Sequence, residues 1–161
     1  MAEGRSEVYL HAMTDQAFER WSARLIEDYA GEHVKAGNWS ESEALARARK
    51  SIEDLLPDGV DTKDHHLFTI MDSTGKQAMG VLWLGVNPRM QDAGFIYDLE
   101  IDEPFRRQGY ATAAMKALEE KARQLGMAKL ALHVFGHNAK ARSLYEKLGY
   151  GVTDISMAKE L

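Results

Sequence analysis

Residues 94–135, GFIYDLEIDEPFRRQGYATAAMKALEEKARQLGMAKLALHVF, read in order as strand, turn, helix, strand, and that order sets the class of fold. The first part alternates, with Phe95, Tyr97, Leu99 and Ile101 on one face and Ile96, Asp98 and Glu100 on the other. Ala111, Met115, Leu118, Ala122 and Leu125 then recur at helical spacing, and Gly126 stands at C′, where a left-handed residue ends a helix. KLALHVF, 129–135, is apolar and strand-like again. Two strands joined through such a helix pair in parallel by a right-handed crossover, so the sheet is at least partly parallel.

Outward from this unit, HHLFTIMD and AMGVLWLGV are two strands around a turn at Gly75, an antiparallel hairpin. A short strand over Val8–His11 precedes Thr14, a suitable N-cap for a helix whose Phe18, Trp21, Leu25 and Tyr29 share a face. A second helix opens with a capping box, Ser40 with Glu43. It shows Leu45, Ala48, Ile52 and Leu55 on one side and stops before Pro57. Beyond the central unit, Asn138 caps a last helix with Ala141, Leu144, Tyr145 and Leu148 inward, Gly149 ends it, and YGVTDISMAKEL supplies final strand material. The expected order is β-α-α-β-β-β-α-β-α-β, an α/β sandwich on a mixed sheet.

With 161 residues and 45% hydrophobic content the chain is the size of one domain, without repeat, linker or low-complexity segment. Twenty basic against twenty-five acidic residues give a formal charge of -5 with no basic block, which disfavours nucleic acid and anionic membranes as partners. The absence of cysteine excludes disulfides, a thiol nucleophile and thiolate zinc. The N-terminus has no signal-like apolar run, and no stretch approaches the roughly 18 apolar residues of a membrane span. The reading is a soluble, cytoplasmic protein. Six histidines are present, but His65 and His66 alternate across a strand, His133 and His137 straddle a strand end, and no H-E-x-x-H occurs, so no metal is expected.

FRRQGYATAAM, 105–115, places a glycine turn and two arginines at the start of a helix. There the unpaired N–H groups of the first turn and the helix dipole favour an anion. Gly109 allows close backbone approach, Ala111 keeps the next position narrow, and Arg106 or Arg107 adds charge-assisted donors. Neither G-x-G-x-x-G nor G-x-x-x-x-G-K-[ST] is present, which weakens a nucleotide-fold reading. A turn with solvated arginines remains the plain alternative.

Arg106-Arg107-Gln108-Gly109-Tyr110-Ala111 matches R/Q-x-x-G-x-G/A. Some thirty residues on, Asn138, Ala141, Leu144, Tyr145, Gly149 and Tyr150 match N-x-x-A-x-x-L-Y-x-x-x-G-[FY]. In both motifs the chain resembles the GNAT superfamily of acyl-CoA-dependent N-acyltransferases, over essentially residues 65–161. The one departure is Ala111 where many members carry glycine. The resemblance implies a mostly antiparallel mixed sheet flanked by about four helices, with a splayed parallel strand pair. It also implies a single N-acetyltransferase domain over 1–161, with the first strand and two acceptor-side helices in 1–60 and an acyl-CoA-binding core in 65–161.

By the same resemblance, acetyl-CoA is the cosubstrate. Its pyrophosphate would rest on Arg106, Arg107, Gln108, Gly109, Tyr110, Ala111 and Thr112, and its pantetheine arm on the strand backbone at Leu99 and Ile101, with Asn138 nearby. An N–H near Leu99 would stabilise the oxyanion. Tyr145 would protonate the departing thiolate; a core role is the alternative. An amine acceptor arrives largely protonated, so a base is needed. Asp98 and Glu100 are the candidates, Glu100 favoured for its reach, against a reading of both as a solvated or ion-paired strand face. Trp21, Tyr29 and Trp39 read as packing residues, the last two with a chance of lining the acceptor pocket. The function expected is acetyl transfer to a primary amine on a small molecule or peptide. A non-catalytic acyl-CoA-binding or regulatory module and a plain phosphate-binding domain are the alternatives, and a homodimer is left open. Residues 151–161 alone follow the second motif, so any arm over the acceptor must come from elsewhere in the chain.

Overall fold

A computed structural model gives the architecture, described here for residues 7–86 and 92–161. The reading of the extreme N-terminus falls in part on residues 1–6, outside the described residues. Five strands, β1 (Val8–Ala12), β2 (His65–Asp72), β3 (Ala78–Val86), β4 (Ala93–Ile101) and β5 (Lys129–Leu132), form one sheet in that order. The first three pairings are antiparallel and β4 with β5 is parallel. Four helices, α1 (Asp15–Lys35), α2 (Glu41–Leu55), α3 (Tyr110–Gln124) and α4 (Ala139–Lys147), complete the mixed α/β fold that the sequence implies.

Alternation along the strands splits the core in two. On β3, Val81 and Trp83 join Trp21, Ile26 and Ala30 of α1 and Ala44, Ala48 and Ile52 of α2, whereas Leu82 and Leu84 join Ala114, Met115 and Leu118 of α3. Burying a large side chain of this kind stabilises by roughly 1.5–3 kcal/mol, and Trp21, Trp83, Leu82, Leu84, Met115 and Leu118 are all almost fully enclosed. At Gly80 a Cβ would lie 2.1 Å from the Glu100 carbonyl oxygen, so β3 and β4 come together only because that position is bare. Among the described residues no helix is long and apolar enough to cross a membrane.

The caps expected at Thr14 and Asn138 are formed, accepting from the amides of Ala17 and Ala141 at 3.2 Å each. Gly126 and Gly149 end α3 and α4 with positive φ. Four local expectations are corrected. Ser40 is the N-cap of α2 but makes no side-chain capping bond; its hydroxyl meets Ser42, and Glu43 pairs with Arg47 four residues on. Leu45 is half exposed, and Ala44 takes its place on the buried face, because the close α1–α2 approach admits the smaller residue. The strand at 129–135 stops at Leu132, where its pairing with β4 ends. Residues 151–161 form no strand and are exposed throughout.

The correction with most bearing on the site is in β4. Its register with β3 shifts between Trp83 and Leu84, so that Trp83 faces Asp98 and Leu84 faces Ile96, leaving Tyr97 as an extra residue. Such a bulge breaks strict alternation. Tyr97 stacks on Trp83 and meets Phe95 edge-on on the α1–α2 side, Asp98 bonds to Trp21 and Glu100 to Arg24 on that same side, and Ile96, Leu99 and Ile101 pack toward α3. Tyr97 and Asp98, expected on opposite faces, share one.

Candidate active site

Pairing between β4 and β5 runs from Ala93↔Lys129 to Ile96↔Leu132 and then stops. Past that point the strands diverge, and the β5-facing edge of β4 from Tyr97 to Ile101 has no strand partner among the described residues. The gap is a cleft of about 160 Å³. Tyr97, Asp98 and Leu99 form one wall, Leu132, His133, Val134 and Phe135 the other, and Asn138, Ala141 and Tyr145 close it from α4. An open strand edge offers unpaired backbone donors and acceptors to an extended amide-bearing chain.

Beyond Ile101 the chain passes through a short turn into α3. Arg107 and Gly109 both have left-handed backbone, φ 60° and 85°, and Gly109 is the N-cap of α3 with no side-chain cap. The amides of Tyr110, Ala111 and Thr112 have no intrahelical acceptor, and alternating left-handed residues before a helix form a concavity suited to an anion. Arg106 departs from the expected role in part: its Nε donates to the Ile101 carbonyl at 2.8 Å, fastening the end of β4 to the turn. Gln108 Nε2 donates to the Pro104 carbonyl at 3.0 Å. Arg107 is exposed.

The two carboxylates have different surroundings. Asp98 Oδ2 accepts from Trp21 Nε1 at 2.9 Å, and the carboxyl lies in the cleft wall. Burial pushes its pKa up to about 6, with Glu100 and Asp28 adding to the rise and the Trp21 hydrogen bond and Arg24 opposing it. Glu100 does not line the cleft and pairs with Arg24 at 3.3 Å near the surface. Tyr145 does line it, and its phenol is held above the usual range by burial and then by the charge of Asp98. It therefore carries its proton at neutral pH.

Trp21 is the residue whose part in the site the sequence did not disclose. It reads as core, and it is core at 2% exposure, packed edge-on against Trp83. Its indole N–H also fixes the carboxyl of Asp98, 77 positions away. Phe135 and His133 were likewise read only as strand and loop. Phe135 meets His33 edge-on at 5.1 Å, His33 stacks on Trp39 at 3.9 Å, and Tyr29 packs on both. His137, stacked on Phe135, bonds to Glu32 of α1. One mouth of the cleft thus lies beside an aromatic wall shared between α1 and the loop after β5.

The profile of the acetyltransferase (GNAT) family matches residues 32–150. The chain belongs to the GNAT family. It is similar to two uncharacterized N-acetyltransferases of Bacillus subtilis, YdgE (39% identical, covering 94% of this chain and 97% of that one) and YycN (40% identical, 96% and 99%). The crystal structure of YycN superposes with a TM-score of 0.90 over 96% of this chain and 98% of the other. The aminoglycoside N-acetyltransferase AAC(6')-Iy, solved in complex with CoA, shares the fold at 16% identity, TM-score 0.61, over 97% of this GNAT chain and 95% of its own.

Proposed function

We propose that the protein transfers an acetyl group from acetyl-CoA to a primary amine by direct attack within a ternary complex. The observation that carries the reading is the splay of β4 from β5, on the strand that leads through a short turn into the uncapped start of α3. The splayed edge suits the amide-rich pantetheine arm, and the α3 start suits its pyrophosphate. Arg107 and the amides of Gly109 to Thr112 would hold the phosphates. That a protein sharing this fold was solved in complex with CoA supports CoA as the ligand class.

Acetyl-CoA supplies a thioester carbonyl, and the chain supplies proton handling and orientation. Asp98 takes a proton from the acceptor ammonium, freeing the lone pair that forms the new C–N bond as the C–S bond breaks. Tyr145 gives its phenolic proton to the leaving sulfur. A backbone N–H at Leu99 faces the carbonyl oxygen as its charge grows. The nitrogen sheds two protons in all: the one taken by Asp98 passes to solvent, and the one lost as the amide forms returns through cleft water to the Tyr145 phenolate, so both groups are restored and one proton is released per turnover. The acceptor enters past Tyr29, His33, Trp39 and Phe135, where rings and the Glu32 carboxylate suit a cation.

Two measurements test this. Coenzyme A at about a hundredfold excess over its Kd is expected to add about 2.7 kcal/mol of stability, read as a raised thermal midpoint. Gly109→Val, a β-branched residue at φ 85°, should abolish the increment through the seat. No shift for the parent at millimolar coenzyme A removes the reading. Thiol release from acetyl-CoA against a panel of amines then identifies the acceptor; binding without release to any of them favours the non-catalytic module.

A further inference from the structure

The carboxyl of Asp98 is held from one side. Trp21 Nε1 donates to Oδ2 at 2.9 Å, and among the described residues nothing else hydrogen-bonds to either oxygen. An indole N–H donates and cannot accept, so Oδ2 keeps this bond only while it carries no proton of its own. A proton taken up by the carboxyl therefore sits on Oδ1 and enters and leaves there. The indole has little freedom to follow the carboxyl. Trp21 is buried, edge-on to Trp83 at 5.5 Å and tilted on Phe18 at 5.8 Å. Trp83 is fixed in turn by donating to His65 Nδ1 at 2.9 Å and by stacking on Tyr97, the extra residue of the bulge next to Asp98.

We propose that Trp21 is a positioning residue of the reaction: its N–H pins Oδ2 and leaves Oδ1 as the one oxygen that takes the proton of the acceptor. This role rests on the reading of Asp98 as the base. A donor to the anion also offsets part of the burial that raises this carboxyl to about 6, so without Trp21 the base would be charged only at higher pH. The other groups that bear on Asp98 are Glu100 on its own strand, Asp28 and Arg24 on α1, Tyr145 on α4 and His133 on the facing cleft wall. Glu100 and Asp28 favour its protonated form and Arg24 its anion, and a change at Trp21 removes none of them.

Trp21→Phe keeps a ring in the cluster and deletes the N–H. Carboxyl-carbon NMR of the free protein should show the Asp98 midpoint rising by about one pH unit or more, the worth of a hydrogen bond to a charged group. The rising limb of kcat/KM should move up with it. On the plateau above the limb, kcat should stay about tenfold or more below the parent's, because an unpinned carboxyl presents Oδ1 less often. Trp83→Phe is the packing control: it alters the same cluster, but its N–H serves His65, and the Asp98 midpoint should stay in place. In the unaltered protein the Trp21 indole proton should shift with the Asp98 midpoint, a readout that needs no variant to fold. An indole proton blind to that titration, an unmoved midpoint in Trp21→Phe, an equal move in Trp83→Phe, or a plateau equal to the parent's would each overturn the positioning role. A parent whose rate limb does not follow its own Asp98 titration would instead remove Asp98 as the base, and the role of Trp21 with it.

Discussion

Tyr145→Phe is expected to lower kcat by about 10²-fold, toward the lower end of the 10²–10⁴ that positioned proton transfer contributes, because a thiolate leaves tolerably well even unprotonated. Affinity for coenzyme A should stay near the parent's. The ring that packs beside Tyr150 and Leu148 is kept, and only the hydroxyl at the cleft is lost. If the tyrosine only filled space, the change would remove at most one hydrogen bond, about 0.5–1.5 kcal/mol of stability, and leave the rate alone. The measurement is kcat under single-turnover conditions, so that product release does not mask chemistry. A rate within about twofold of the parent's would return Tyr145 to the core and require another proton donor.

Asp98→Asn is expected to cost about 10²–10⁴-fold in kcat/KM at pH 8 and to abolish the limb of the parent profile that rises through about pH 6. The sign follows from the role: the group works as a base only when deprotonated, so activity is low below its raised pKa and gained above it. Asparagine keeps an oxygen for the Trp21 indole, so the wall of the cleft is preserved while the proton acceptor is lost. Glu100→Gln, whose partner is the surface Arg24, should leave the limb in place and change the rate by less than about tenfold. The opposite pattern, with the limb surviving in Asp98→Asn and missing in Glu100→Gln, would transfer the role to Glu100.

Much of this was legible in the sequence because it is local. The strand, turn, helix, strand order of 94–135 gave the parallel pair, and Thr14, Asn138, Gly126 and Gly149 marked helix ends through chemistry within a few residues of each. Tyr145 and Gly109 stood out through two spaced motifs. What escaped was set across the sheet. The bulge at Tyr97 arises from how β4 pairs with β3, and strict alternation within β4 placed Asp98 on the opposite face from Tyr97. With that bulge unseen, nothing tied Trp21 to Asp98, and Glu100 was favoured for its presumed nearness to the thioester and its longer reach. The tail erred in the other direction: its strand-like composition was read as strand material, but residues 151–161 form no strand, because composition alone supplies no pairing partner.

The enclosed carboxyl of Asp98 also separates two optima. The unfolded chain loses this proton near 3.8 and the folded chain near 6, so the fold holds the proton more tightly. Between those values the native state binds more protons than the denatured one, and resistance to unfolding falls as pH rises. Above about 6 the loss is complete, with an upper bound of about 3 kcal/mol from that difference. In calorimetry, Asp98→Asn should therefore melt later than the parent at pH 8 and close to it near pH 4. On the proposed mechanism, the protonated form of Asp98 that adds to stability in mild acid is the form that cannot act as the base, so the carboxyl contributes to stability and to activity in opposite pH ranges.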